Sequence, residues 1–137
     1  MEILHTPLMQ AIASAALPRC PKAMPRYISI MAWSVAVLGF LHDPLLDALA
    51  SAARRRLDEF WPQNFANMSW ALAVFSYDDE PLLHSIAAAA LNLKLAPWRM
   101  QERVNLAWSF SSRGVFHTPL LDSISSSSRK RLSELFP

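Results

Sequence analysis

The sequence has little glycine, a single cysteine and no long apolar run, and each scarcity excludes a class of protein. Only 2 of its 137 residues are glycine, which argues against a turn-rich β protein. Cys20 is the only cysteine, so an internal disulfide and a cysteine zinc site are excluded, and we expect a small buried hydrophobic residue there. The longest apolar stretch, residues 27–41, contains Ser29, Ser34 and Gly39 and is too short to span a membrane.

Strong net charge and catalytic motifs are also missing. The net charge is only +2, so a surface for a negatively charged partner requires local clustering of Lys and Arg. The chain has no nucleophile–base motif and no glycine-rich phosphate loop. We therefore expect no catalytic residue, no cofactor and no small-molecule substrate. The 53% of hydrophobic residues suffices for the core of one domain, residues 1–137.

A tryptophan recurs at intervals of 37 and 38 residues, and a proline follows each one eleven residues later. These pairs are Trp33/Pro44, Trp70/Pro81 and Trp108/Pro119. Pro7 lies 37 residues before Pro44, where an earlier copy requires a proline. A period of this length with two helical patterns is typical of stacked helical repeats. We predict an all-α fold, a right-handed-type α-solenoid of antiparallel helix hairpins with about seven helices and a 37–38-residue repeat.

Each repeat divides into a helix A, which contains the tryptophan, and a helix B, which begins at the proline. The A helices are predicted over residues 26–38, 63–75 and 101–112. The B helices are predicted over residues 7–19, 44–59, 81–95 and 119–134. The corresponding repeat frames are 7–43, 44–80 and 81–118, with a half repeat at 119–137. The short A-to-B turn makes the two helices antiparallel neighbours.

Residue types at the helix ends support these boundaries. Thr6, Asp43 and Thr118 precede the repeat prolines and are predicted N-caps, since Pro is tolerated in the first helical turn. One position after helix A is predicted to be left-handed, and it is occupied by Gly39, Ser76 and Gly114. The serine-rich segment 123–128 aligns with a B helix of an earlier repeat, so we predict a weak helix there rather than a linker.

Histidines and acidic residues recur near the turns, but their pattern does not predict a metal site. His5, His42 and His117 occupy equivalent turns in successive repeats. Packed helices lie about 8–10 Å apart, whereas zinc binds its nitrogen ligands at about 2 Å, so one histidine per repeat cannot share an ion. The acidic residues 78–80 precede a helix N-terminus, where negative charge is stabilising.

Positive charges cluster near the ends of the B helices. The cluster comprises Arg19, Arg54, Arg55, Arg56, Lys94, Arg129, Lys130 and Arg131. Stacked repeats would align them as a ridge that could contact successive phosphates of a single strand. Equally, cations at helix C-termini are stabilised by the helix dipole whatever the partner, and Asp58, Glu59 and Glu134 lie close in sequence.

Two asparagines and five tryptophans are further candidates. Asn67 and Asn105 each lie three residues before a repeat tryptophan, and we favour a capping or bridging role over the reading of a base edge. The three repeat tryptophans have apolar flanks and are predicted to lie in the core. Trp61 and Trp98 lie beside prolines in the B-to-A connections, and either solvent contact or a hydrophobic staple fits them.

The two ends of the array carry apolar residues that no neighbouring repeat would cover. These candidate docking residues are Leu8, Met9, Leu120 and Leu121. Because residues 6–9 match the start of the last B helix, we assign them to the fold rather than to a targeting peptide. Such ends indicate either a piece of a longer array or attachment to a partner.

The segment from Ala66 to Ala73, with Pro62-Gln63 before it and Asp79-Glu80-Pro81 after it, resembles the octotricopeptide repeat and the related repeats that precede RAP domains. Residues 105–109 match it in part. The resemblance implies a chloroplast or mitochondrial protein that binds single-stranded RNA through the inner face of an α-solenoid, at roughly one nucleotide per repeat. The alternative is a small protein–protein scaffold or accessory subunit docked in a larger organellar complex.

Overall fold

The computed structural model describes residues 5–93 and 98–136, and all regular structure in this part of the chain is helical. It contains seven α-helices: α1 (Thr6–Ala16), α2 (Pro25–Val37), α3 (Asp43–Arg55), α4 (Pro62–Val74), α5 (Glu80–Asn92), α6 (Met100–Ser112) and α7 (Thr118–Leu135). Short 3₁₀ segments follow α1 at Leu17–Lys22 and precede α4 at Leu57–Glu59. The all-α prediction is confirmed, as is the helical state of the serine-rich segment within α7.

The helix boundaries differ from the predicted ones mainly at the C-terminal ends of the B helices. Helix α1 ends at Ala16 and α3 at Arg55, and in both cases the chain tightens into 3₁₀ geometry instead of continuing as α-helix. Lys94 and the predicted end of the third B helix lie outside the described residues. The A helices match their predicted spans to within one residue at every end.

The residue that caps each B helix is the one before the predicted cap. The Nδ1 atoms of His5, His42 and His117 accept hydrogen bonds from backbone N–H groups three residues on, at 3.1, 3.1 and 3.3 Å. Asp79 Oδ1 does the same for α5, at 3.0 Å. The predicted caps Thr6, Asp43 and Thr118 are therefore wrong, since these residues already belong to the helices. An unprotonated imidazole nitrogen reaches the same N–H as a carboxylate or hydroxyl oxygen.

The left-handed residues after the A helices are confirmed. Gly39, Ser76 and Gly114 have φ of 66°, 50° and 65°. After α2, the N–H of Phe40 bonds the carbonyl of Val35 at 2.9 Å and that of Gly39 bonds Ala36 at 3.1 Å, the pattern of a Schellman cap. This cap turns the chain sharply out of helix A and towards the next histidine or aspartate cap.

The helices contact one another in two rows. In the A row, comprising α2, α4 and α6, helix α4 packs on both of the others. In the B row, comprising α1, α3, α5 and α7, contacts run from each helix to the next but one in the chain, beginning with α1 on α3. The rows also contact each other, α2 with α3, α4 with α5 and α6 with α7.

The core lies between the two rows. The B row buries the stripe that the sequence repeats, namely Leu45, Leu46, Leu49, Leu82, Leu83, Ile86, Leu120 and Ile124. From the A row come Ile28, Phe65, Leu106 and Phe110. Cys20 is buried as expected, and burial raises the pKa of its thiol, partly offset by a backbone hydrogen bond. None of the described helices has the length and apolar character needed to cross a membrane.

We expect removal of the imidazole cap to destabilise the fold measurably. His42→Ala loses the acceptor for the Leu45 N–H and should lower the free energy of unfolding by about 1 kcal/mol, whereas His42→Asn should retain most of it. Urea denaturation measures the difference. The control is His84→Ala, which removes an exposed histidine outside the caps. A loss for His42→Ala no larger than the loss for His84→Ala would contradict the capping role.

Candidate functional site

One face of the A row repeats from helix to helix, and we call it the A face. Its positions are three or four residues apart in each helix, so their side chains lie on one side. The A face consists of Arg26, Ile30, Trp33 and Val37 on α2, Gln63, Asn67, Trp70 and Val74 on α4, and Gln101, Asn105, Trp108 and Ser112 on α6. All twelve side chains are exposed or half-buried.

Two neighbouring clefts open on the A face and share lining residues, and we call the two together the joined cleft. One, of about 370 Å³, is lined by residues of all three A-row helices, including Trp33, Asn67, Arg99 and Asn105. The other, of about 390 Å³, adds Arg26, Trp61 and Asn64. Both clefts include Ile30, Gln63 and Asn67. Because α4 lies between α2 and α6, the joined clefts cross the whole A row with α4 at their centre.

Asn67 and Asn105 line this cleft and do not have the capping or bridging role that their position in the sequence favoured. Both side chains are half-buried, and neither makes a side-chain hydrogen bond within residues 5–93 and 98–136. Their amide groups therefore offer donors and acceptors to whatever occupies the cleft. A contact with RNA or a partner remains a prediction for both residues.

The bridging role belongs to Asn64, which the sequence analysis missed. Its Oδ1 accepts the Trp61 N–H at 2.9 Å, while its Nδ2 donates to Ser29 Oγ at 3.0 Å, so one buried amide caps α4 and joins it to α2. Glu102 holds the equivalent capping position in α6, where its Oε2 accepts the Arg99 N–H at 2.8 Å. The available signal was a polar residue three positions after each cap, as in a capping box.

The repeat tryptophans lie at the edge of the core rather than inside it. Trp33 and Trp108 are 42% and 47% exposed, so the prediction that they are core residues is wrong. Trp70 is half-buried against the core. The buried position on α2 is the neighbouring Ala32, about 100° around the helix from Trp33. The small residue that follows or precedes each tryptophan on the core side is completely buried, as Ala32, Ala71 and Ser109 are, and the ring remains on the A face.

The two tryptophans of the B-to-A connections differ in environment. Trp61 is 74% exposed and lines the cleft beside Arg26. Trp98 is completely buried and stacks on Phe65, with ring centroids 5.9 Å apart. Solvent contact therefore describes Trp61, and a packing role describes Trp98.

The arginines at the end of α3 are mostly held by side chains of the protein itself. Arg54 pairs with Asp79 at 2.6 Å and Arg56 with Glu59 at 3.2 Å. Arg55 donates to Ser51 Oγ instead, at 3.2 Å. The exposed ion pairs are worth at most about 1 kcal/mol each, so a phosphate could displace them at modest cost.

The remaining predicted cations are distributed over two other places. Arg19 lies beside an apolar cleft near the 3₁₀ segment after α1. Arg129 donates to Ser125 Oγ at 3.4 Å, while Lys130 and Arg131 line a separate cleft between α6 and α7. A contact between these residues and a partner stays a prediction.

The predicted apolar docking ends are only partly exposed. Leu8 is 55% exposed and Met9 half-buried, but Leu120 is completely buried and Leu121 half-buried. Leu120 was expected to face outward, yet it packs where its counterparts Leu45 and Leu82 pack, inside the core. The exposed apolar residues of α7 lie instead at its C-terminal end, with Leu135 and Phe136 66% and 78% exposed.

Histidines and acidic groups do not assemble a metal site in the part of the chain that the structure describes, where no three His, Cys, Asp or Glu side chains come together. Tyr77 connects the A-to-B turn to α3 by donating its hydroxyl to Asp47 at 2.5 Å. Burial raises the pKa of Tyr77, and the hydrogen bond to the Asp47 carboxylate raises it further. This contact is structural and lies away from the clefts of the A face.

Comparison with known protein families, with curated proteins and with solved structures gives no match for this chain.

Two asparagines of α4 should separate structural from surface roles. Asn64→Ala removes the cap of α4 and its bond to Ser29, so it should lower the free energy of unfolding by about 1–3 kcal/mol. Asn67→Ala on the same helix should change it by less than about 0.5 kcal/mol. Chemical denaturation of both variants measures this. Equal losses of unfolding free energy would show that the Asn67 side chain stabilises the fold and is not available to a ligand in the cleft.

Proposed function

We propose that this chain is a non-enzymatic helical-repeat binding module, in which the helix pairs stack as an α-solenoid and the A face binds single-stranded RNA. The observation that carries the proposal is the joined cleft across the A row. Exposed tryptophans, hydrogen-bonding amides and two arginines line one continuous surface there. Such a surface offers aromatic rings to the face of a base, amides to its edge and positive charge to the phosphate of a nucleotide.

The chemistry of each lining group suits an unpaired strand. Exposed indole rings such as Trp33 and Trp61 offer planar faces on which bases stack. The amides of Asn67 and Asn105 can both donate to and accept from a base edge. Arg26 and Arg99 supply positive charge at the same cleft. At one base per repeat, the A face would hold three bases.

The resemblance to the octotricopeptide repeat supports the same surface. Its best-matching residues run from Asn67 to Ala73, and within them Asn67 and Trp70 belong to the A face. An organellar location, in a chloroplast or mitochondrion, rests on that resemblance alone. Residues outside this best-matching segment, above all Trp33 and Gln63, extend the proposed contact surface along the cleft.

The B-helix arginines have a secondary part in this proposal. Only six residues lie between Arg55, at the end of α3, and Pro62, at the start of α4. These arginines therefore lie near the end of the A face that carries Gln63, beside Trp61. A strand in the cleft could extend its phosphates towards Arg55, whereas Arg54 and Arg56 would first leave their carboxylate partners.

A protein-scaffold role in a larger organellar complex is the second candidate. The observation that favours it is the apolar end of α7, where Leu132, Leu135 and Phe136 are all exposed. A soluble partner that covered these residues would bury them favourably. The ion pairs of Arg54 and Arg56 fit this candidate as well, because paired cations attract RNA less strongly.

The two exposed repeat tryptophans provide the test. We expect Trp33→Ala/Trp108→Ala to weaken binding of a random single-stranded RNA pool by about 1–3 kcal/mol for each base that stacks. Fluorescence anisotropy across a salt series measures it. The matched control is Phe116→Ala, which removes an aromatic ring that is 77% exposed and lies off the A face.

Circular dichroism of each variant confirms that the helices remain. If wild type fails to bind RNA at low salt, the RNA proposal is wrong and the scaffold candidate stands. If Phe116→Ala weakens binding as much as the tryptophan variant, the A face is not the contact surface.

A further inference from the structure

An apolar cleft opens beside the 3₁₀ segment that connects α1 to α2, and we call it the first-repeat cleft. It measures about 510 Å³, within the range of about 300–1,000 Å³ that is typical of ligand pockets. Its lining includes Arg19, Lys22, Ala23, Met24, Tyr27 and Leu49. Most of this lining is apolar, and both of its charged residues are exposed cations, Arg19 and Lys22.

The first-repeat cleft lies where the next repeat has an aromatic side chain. Ala23 stands 37 residues before Phe60 and has nearly the same backbone conformation, with φ and ψ of −69° and 141° against −74° and 139°. The two side chains therefore leave the backbone in the same direction. Phe60 is buried and packs on Phe65, with ring centroids 5.2 Å apart, whereas Ala23 ends at its methyl group and lines the cleft. The first repeat thus lacks the phenyl ring that fills this place in the second.

The charges around the two positions differ in the same sense. In the second repeat, Glu59 directly precedes Phe60 and pairs with Arg56 at 3.2 Å. Arg19 is the equivalent of Arg56 in the first repeat, but Lys22 replaces Glu59. No ion pair within residues 5–93 and 98–136 includes Arg19 or Lys22. A carboxylate directly before an aromatic ring is therefore what the second repeat contains and the first-repeat cleft lacks.

We propose that the first-repeat cleft binds a peptide segment of another protein in which an acidic residue directly precedes an aromatic residue. The aromatic ring occupies the apolar space beside Ala23, where its burial supplies most of the affinity. The carboxylate lies at Arg19 and Lys22, and this charge pairing sets the direction of the peptide.

The contact is small and we expect it to be weak. A few peptide residues bury far less than the roughly 1,200–2,000 Å² of a stable protein interface. The dissociation constant should therefore lie between about 10 μM and 1 mM. Met24 and Tyr27 are exposed at the cleft, and their flexible and amphipathic side chains suit an exchangeable ligand.

The first-repeat cleft is distinct from the surfaces described above. It shares no lining residue with either cleft of the A face. The exposed apolar end of α7 lies in the last helix of the B row, whereas this cleft lies at the first connection. The inference therefore rests neither on RNA binding nor on the end of α7.

A second copy of the chain is the competing occupant. Its residues Glu134 and Leu135 stand 75 positions after Glu59 and Phe60, and both are exposed. However, the aromatic ring is replaced by an aliphatic side chain there, and three cations at 129–131 closely precede it. The cations of the first-repeat cleft would repel these cations, so the charges favour a separate acidic partner.

The test titrates the full chain with the peptide acetyl-Leu-Asp-Glu-Phe-Trp-Pro-amide, which has the sequence of residues 57–62, and follows amide NMR shifts. We expect the shifts to map to residues 16–31. A peptide with alanine in place of the phenylalanine should bind at least about tenfold more weakly. A peptide with glutamine in place of the glutamate should bind about two- to fivefold more weakly.

Two variants of the chain test the apolar and the charged half of the site separately. Ala23→Phe supplies the missing ring from the chain itself, so peptide affinity should fall at least about tenfold while circular dichroism shows that the helices remain. Arg19→Gln/Lys22→Gln should bind the glutamate and glutamine peptides equally, because the partners of the carboxylate are gone. The matched control Arg129→Gln/Lys130→Gln removes two exposed cations elsewhere and should keep the preference for glutamate.

Three outcomes would overturn the proposal. The first is equal affinity of the phenylalanine and alanine peptides. The second is loss of the preference for glutamate in the control variant as well as in Arg19→Gln/Lys22→Gln. The third is self-association of the wild type in sedimentation experiments that Ala23→Phe abolishes, since the occupant would then be a second copy.

The peptide titration also separates this inference from the RNA proposal. Trp33→Ala/Trp108→Ala should leave peptide affinity unchanged, because neither tryptophan lines the first-repeat cleft. Ala23→Phe should likewise leave RNA affinity unchanged. Failure of either binding assay therefore contradicts one proposal and not the other.

Discussion

The packing of α4 against both α2 and α6 is the constraint on which the rest of the structure depends. Small residues such as Ala32, Ala71 and Ser109 are completely buried and allow helices to approach closely. Since neighbours occupy both flanks of α4 and the B row contacts it as well, one side of the helix remains open. That side carries Asn67 and Trp70, and its counterparts on α2 and α6 complete the A face. The same close packing of the A-row helices therefore forms the core and leaves one side of them open as the cleft.

Periodicity predicted the all-α class and the approximate bounds of the helices, because a 37–38-residue repeat indicates which positions are equivalent. It does not state which side of a helix faces outward, and for this reason the exposure of Trp33 and Trp108 was missed. The predicted N-cap residues were wrong for a different reason. Histidine is not among the preferred N-cap residues, although the Nδ1 atom of His42 accepts the Leu45 N–H as well as an aspartate would.

The site was predictable only in part, because its important contacts join residues that are far apart in sequence. Asn67 and Asn105 stand out by their position before the tryptophans. Asn64 does not stand out, since its hydrogen-bond partner Ser29 lies 35 residues away in the sequence. Likewise, Arg54 and its ion-pair partner Asp79 lie 25 residues apart.

In our proposal, single-stranded RNA binds mainly along the A face, and the arginines of the B helices have only a secondary part. Photocrosslinking of the chain to single-stranded RNA that contains 4-thiouridine, followed by mass spectrometry of the crosslinked peptides, tests it directly. The account predicts crosslinks within residues 26–37, 61–74 and 99–108, which line or flank the joined cleft. Crosslinks concentrated at residues 54–56 and 129–131, with none on the A row, would contradict it.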